Sequence, residues 1–346
     1  MRLALVLLLT TPLLVGCAGA QEAPERPEPT FTPEVAPIGS GVAPEAREAA
    51  ELLASKDYAE AADRFVELYR YELIPMRRAE FLFFAGEAAL ADGDAHAAYE
   101  HYKKLLETYP TTPRYGLVVE RLFLIGERFA QGRATKPTWL LGLRFSDRPF
   151  GIEVLEAFQH ARERHALADD ALFLVGEARL AENEPEEAIG AWQKVVDEYP
   201  RSEWAETAEY RIGVAFVEMS SGPEYDKQPI LEGLKRLRAY VDRHPTGNHV
   251  AEASLKIKEV EEGLAEQELD VVRYYLRWNR RYSAQLYLEA IRRDYPKTES
   301  GAEAQRLLNS LPRTSPPAAE PDPEDSAPTK VGPPPPAKDP LVTPYD

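Results

Sequence analysis

The sequence predicts an all-α fold, a solenoid of about six stacked helix pairs over residues 45–310, flanked by disordered segments at both ends. Three observations predict it. Apolar residues in this stretch recur at helical spacing, with no long alternating β pattern. Four pairs of an aromatic residue or His followed by Pro (Tyr109-Pro110, Tyr199-Pro200, His244-Pro245 and Tyr295-Pro296) each close an apolar helical run. Upstream of two of them the sequence repeats itself: Leu82, Gly86, Gly93, Ala98, Tyr102 and Pro110 keep the spacing of Leu172, Gly176, Asn183, Ala188, Trp192 and Pro200, each offset by 90 residues. A fixed period of this kind marks a repeat architecture, whose units bury their faces only against neighbours.

Composition excludes several functions. One cysteine in 346 residues cannot close an internal disulfide or build a Cys-based zinc site. A formal charge of −17 argues against nucleic acid as a partner, because phosphate binding needs a basic face. Six prolines fall in 23–44 and twelve in 311–346, so these two segments cannot form a packed core.

Taken in order, residues 1–16 read as a signal peptide: Arg2, the apolar run Leu3 to Leu9, then small residues before Cys17. Pro12 and the short apolar length argue against a transmembrane helix. The run Leu14-Val15-Gly16-Cys17 resembles the bacterial lipoprotein box, which implies acylation of Cys17 and a mature chain tethered to a membrane; Ala18 after it implies sorting to the outer membrane. Acyl chains contribute roughly 0.8 kcal/mol per buried methylene, enough together to hold the chain on a bilayer. Residues 17–44 then serve as a Pro-rich spacer.

The repeats follow. A first unit spans Glu45 to Pro75, with Tyr58, Ala61, Phe65 and Leu68 on its second helix. The two well-matched units end at Pro110 and Pro200. Between them, Leu122, Gly126 and Phe129 begin a unit that meets an insertion at 132–150 and is completed by 150–164. A fifth begins at Ala208, breaks at Ser220-Ser221-Gly222-Pro223 and resumes over 230–243; the last spans about 249–296 with a long first helix, and a short helix at 301–308 caps it. These landmarks resemble the tetratricopeptide repeat, a 34-residue helix-turn-helix. The small residues let paired helices approach closely, Gly93 and Asn183 supply the turn, Tyr102 and Trp192 fill the groove, and proline stops the second helix.

The C-terminal repeats are more specific. Leu234-Lys-Arg-Leu-Arg-Ala-Tyr-Val-Asp-Arg-His-Pro245, Leu264-Ala-Glu-Gln-Glu-Leu-Asp-Val-Val-Arg-Tyr-Tyr-Leu-Arg277 and Asp294-Tyr-Pro-Lys-Thr298 resemble the last repeats of the BamD, or competence lipoprotein, family. The resemblance covers about 168–310 and the lipoprotein start; residues 132–165 and the tail depart from it. It implies an outer-membrane lipoprotein facing the periplasm, a scaffold in β-barrel assembly whose partner is a POTRA-bearing barrel protein. A different envelope tetratricopeptide lipoprotein, coordinating peptidoglycan or Tol-Pal functions, remains the alternative.

No nucleophile elbow, Walker loop or dinucleotide fingerprint occurs, so neither a catalytic residue nor a cofactor is expected. The histidines fall in pairs five apart (96/101, 160/165, 244/249), off the i,i+4 spacing that puts two metal ligands on one helix face, and no metal is expected. Binding residues are sought elsewhere. Arg273, Arg277, Arg280 and Arg281 cluster in an acidic chain beside Tyr274, Tyr275, Trp278 and Tyr282, aromatics that fill repeat crossings or form a partner hot spot. Trp139, in the apolar run of the insertion, is the other candidate contact. The expected organisation is therefore signal peptide 1–16, lipidated Cys17 and spacer to 44, solenoid 45–310 and Pro-rich tail 311–346.

Overall fold

A computed structural model describes residues 44–133, 135–137, 144–161, 165–219 and 227–312. Cys17, Trp139, the spacer and the tail beyond 312 lie outside the described residues. The chain divides into two compact units, Met1–Arg114 and Tyr115–Asp346.

The described part of the first unit is two helix pairs: α1 (Pro44–Ser55) with α2 (Tyr58–Tyr71), and α3 (Pro75–Asp92) with α4 (Ala95–Thr108). The second holds α5 (Tyr115–Ala130) with α6 (Arg148–Ala161), α7 (Ala168–Ala181) with α8 (Pro185–Glu198), α9 (Glu203–Glu218) with α10 (Lys227–Arg243), and α11 (Val250–Arg277) with α12 (Arg281–Asp294), closed by α13 (Glu299–Ser310). The six expected pairs and the terminal helix are all present. One feature differs: within the insertion a short antiparallel ribbon pairs β1 (Thr135–Pro137) with β2 (Arg144–Ser146), in the register Thr135 to Ser146 and Pro137 to Arg144. A connection this long between paired helices leaves backbone donors and acceptors unmatched, and pairing with itself satisfies some of them.

The landmarks take the places their chemistry suggests. Tyr102 and Trp192 are fully buried, each filling the space a side chain at Gly86 or Gly176 would need. α3 ends on Gly93 at φ 88°, and the matching turn after α7 uses Asn183 at φ 62°, the left-handed conformation those residue types tolerate best. α8 begins on Pro185, whose missing N–H is harmless at a helix start. The repeat length also shows in side-chain bonds between positions one repeat apart. Arg114 Nε donates to Glu80 Oε1 at 3.3 Å, Trp204 Nε1 to Asp170 Oδ1 at 3.0 Å and Arg211 Nη2 to Glu177 Oε2 at 3.1 Å; each joins residues 34 apart. The Trp204 ring stacks on Phe173 at 4.3 Å, reinforcing the α7–α9 step.

α11 runs 28 residues, about 42 Å at ~1.5 Å per residue. Its first half packs through Ala253 and Ile257 on the core of α9 and α10 around Leu237 and Tyr240. Its second half buries Ala265, Leu269 and Val272 against Ala284, Leu288 and Ile291 of α12 and Ala304 of α13. One continuous helix thus links the interior repeats to the terminal one.

Candidate functional site

The residues singled out in the sequence meet where α11 turns into α12. The α11 terminus is a Schellman closure. Asn279 takes φ 54° and its N–H reaches Leu276 O at 3.0 Å, while the Arg280 N–H reaches Tyr275 O at 2.9 Å. The Asn279 side chain accepts from Arg281 Nε at 3.2 Å, fixing the start of the next helix. This tight turn satisfies its own backbone and leaves Trp278 65% exposed at the corner.

The structure divides the aromatic set that the sequence left between core and surface. Tyr275 packs against the α11–α13 core and stacks on Tyr287, centroids 5.6 Å apart. Tyr274 meets Tyr275 edge-on at 5.7 Å and Trp278 at 6.4 Å, so the rings form one string from Tyr287, itself exposed, to the exposed indole. Tyr282 is half-buried. Core filling therefore describes Tyr275, and Trp278 departs from it because it occupies the helix cap, beyond the last residue that can face α12. Leu286, half-exposed on α12, is an addition the sequence reading missed. It sits two residues after Ala284 and two before Leu288, so a strict count of the Ala284, Leu288, Ile291 stripe would have found it surplus to the core.

The arginines divide too. Arg273 bonds Asp270 at 2.7 Å and Glu303 at 3.4 Å, tying α11 to α13; the Asp270 carboxylate beside it holds its guanidinium charged. Arg277 and Arg280 are exposed and form no ion pair with any described residue. The corner thus carries two uncommitted guanidiniums around an exposed indole. Such groups pair with carboxylates and pack on aromatic or apolar side chains of a partner, and Arg and Trp dominate the energetics of protein interfaces.

Support for this corner comes from the opposite end of α12. Glu262 on α11 accepts the N–H groups of Glu299 (2.7 Å) and Ser300 (2.9 Å), and Thr298 Oγ1 accepts from Gly301 (2.9 Å), so the first turn of α13 is capped twice. Burial pushes the Glu262 carboxyl up, but the bonds from Ser300 and Glu299 outweigh it and leave the group below its usual range. Among the histidines, the His249 ring stacks on Tyr210 at 4.6 Å and His244 lies 3.0 Å from Glu209 Oε2; both join repeats. No cluster of three potential metal ligands occurs among the described residues, and no described helix is long and apolar enough to cross a membrane.

Residues 151–314 match the family model YfiO, described as outer membrane lipoprotein. The chain is 26% identical over 164 residues to the outer membrane protein assembly factor BamD of Caulobacter vibrioides, covering 42% of this chain and 52% of that protein. It therefore spans about half the length of this relative. Among solved structures, the chain is similar to a MamA double mutant (19% identity, 59% of this chain and 99% of that one, TM-score 0.29) and to part of a TPR repeat-containing protein from Cytophaga hutchinsonii (14%, 75% and 98%, TM-score 0.30). A third is the P58(IPK) TPR domain (14%, 76% of each chain, TM-score 0.27). The likeness of the C-terminal repeats to the BamD family read from the sequence is supported over residues 151–314, a segment that contains the whole α11–α12 corner.

Proposed function

We propose that this protein is a scaffold of β-barrel assembly, held at the outer membrane by a lipid on Cys17 and facing the periplasm, whose work is to bind other proteins. The observation that carries the reading is the coincidence of two findings. The segment similar to BamD and to an outer membrane lipoprotein family includes the surface where Arg277, Trp278 and Arg280 stand exposed, the two arginines without an ion pair to any described residue. A partner with a carboxylate-bearing face and an apolar pocket suits that surface, and a POTRA-bearing barrel protein is the partner proposed. The function is binding without a catalytic step.

Affinity purification of the lipidated protein from its own membranes tests this. The wild type is expected to bring down a barrel protein with periplasmic POTRA domains. Reversal of both free charges, Arg277→Glu with Arg280→Glu, is expected to weaken that capture about tenfold or more while the helical circular dichroism stays unchanged. Recovery of Pal or cell-wall enzymes instead would favour the peptidoglycan reading. Undiminished capture by the reversed variant would remove the corner from the interface.

A further inference from the structure

The first unit carries an exposed apolar feature that the α11–α12 surface does not explain. Of the nine large apolar side chains exposed among the described residues, four lie within six positions of the α2–α3 turn: Tyr71 (78% exposed), Leu73 (89%), Ile74 (47%) and Met76 (68%). In water this turn forgoes the burial such side chains favour. Its backbone is built for a dry surface. Glu72 Oε1 accepts the N–H groups of both Leu73 (2.8 Å) and Ile74 (2.9 Å), and Pro75 has none, so three successive positions at the apex offer no free donor. Arg78 Nη1 donates to the Glu72 carbonyl at 3.3 Å, closing the base of the turn. Backbone groups bonded within the chain lower the cost of taking the turn out of water.

The flanks suit the same environment. Arg70 and Arg77 are exposed on either side of the apolar tip. Arg78 and Lys104 each lie 4.5 Å from the Tyr69 ring, leaving their charged heads behind the apolar apex. Three carboxylates nearby are held by cations: Arg64 lies 3.2 Å from Glu67 and 3.8 Å from Glu48, and Arg77 lies 3.8 Å from Glu72. An apolar tip with Tyr at its edge and arginines behind it is the composition found at membrane–water boundaries.

The position of the tether selects a bilayer over a protein as the occupant. A cleft of about 590 Å³ runs between α1 and this turn, lined by Glu45 and Glu48 on one side and by Tyr71, Leu73 and Ile74 on the other. The first turn of α1 therefore lies beside the apex. The chain toward Cys17 continues from Pro44 at this end of α1, so the tether attaches on the side of the first unit that carries the apex. We propose that the 71–76 turn is a membrane-contact loop that sinks Tyr71, Leu73, Ile74 and Met76 into the phospholipid interface and orients the first unit on the bilayer. The nearness of the bilayer rests on the lipidation of Cys17; the loop's own affinity for lipid does not.

Residues 17–346 carrying Cys17→Ser, which cannot be acylated, are mixed with vesicles of phosphatidylethanolamine and phosphatidylglycerol and sedimented. The unlipidated chain is expected to partition measurably. Leu73→Asp with Ile74→Asp is expected to lower the partition coefficient about tenfold, because two apolar side chains no longer enter the interface. Leu255→Asp, which removes an exposed leucine from α11, is expected to leave it unchanged. Circular dichroism of each variant shows that it is folded. Equal partition by all three chains, or none by the unlipidated chain, would overturn the proposal. So would loop variants that bind vesicles normally yet lose a co-purifying protein, which would make the occupant a protein. Failure of labelled palmitate to enter the full-length chain would overturn the anchor alone and leave the vesicle result to judge the loop.

Discussion

Gly86 and Gly176 set how near each first helix comes to its partner. The space a side chain would need at either is occupied by the buried ring of Tyr102 or Trp192, which has nowhere to move. Gly86→Ala and Gly176→Ala should each cost about 1–3 kcal/mol in chemical denaturation, the usual range for overpacking a core. A second residue-scale expectation concerns pH. The Glu262 carboxyl is held below its usual range in the folded chain, so its ionised form adds stability above the unfolded carboxylate range, and that stability is lost as pH falls through the lower folded value. Glu262→Gln should narrow the gap between wild type and variant stability as the medium is acidified below about pH 4.5, measured by denaturation at several pH values. At this scale the sequence revealed the small and aromatic landmarks because a period of 90 residues exposed them twice. It did not reveal which of Tyr274, Tyr275 and Trp278 is buried: that depends on where α11 ends, and Asn279 in the left-handed conformation decides it.

The helix pairs owe their turns to single residues at positive φ. Gly93 and Asn183 were legible as turn residues because they recur at one landmark and belong to types that accept the left-handed region. Lys56 (φ 70°) and Asn279 (φ 54°) close α1 and α11 in the same way without that signal. Lys carries a Cβ penalty there, so Lys56→Gly should stabilise the protein by about 0.5–1 kcal/mol, while Asn279→Val should destabilise it by about 1–2 kcal/mol; thermal melting of both variants checks the pair. Helices were readable at element scale because apolar spacing and proline stops coincide over twelve to eighteen residues. The ribbon of β1 and β2 was not, since three paired residues per strand are too few to set a period against the insertion around them. The α2–α3 turn was equally hidden. Its run of Tyr71, Leu73, Ile74 and Met76 looks in the sequence like the tail of an apolar helix face, and only the helix boundaries at Tyr71 and Pro75 leave those side chains outside.

For the chain as a whole, each helix pair draws its stability from its neighbours, which makes damage local. Removing α13 uncovers Leu288 and Ile291 on α12 and Leu269 on α11. A chain ending at 298 should lose hydrogen-exchange protection first in α11 and α12, while α3 and α4 keep theirs. The solenoid and its number of pairs were legible from the period; the partner was legible only as far as the likeness of residues 151–314 to an outer membrane lipoprotein family reaches. What the fold adds is a surface on which Arg277 and Arg280 form no ion pair with any described residue and the Trp278 indole, met on one side by Tyr274, stands exposed. A photo-reactive amino acid placed at position 278 in cells, followed by mass spectrometry of its adducts, asks directly what touches that surface. An adduct with a barrel protein that carries POTRA domains is the predicted result; adducts confined to Pal or wall enzymes, or no adduct with any protein, would contradict the account.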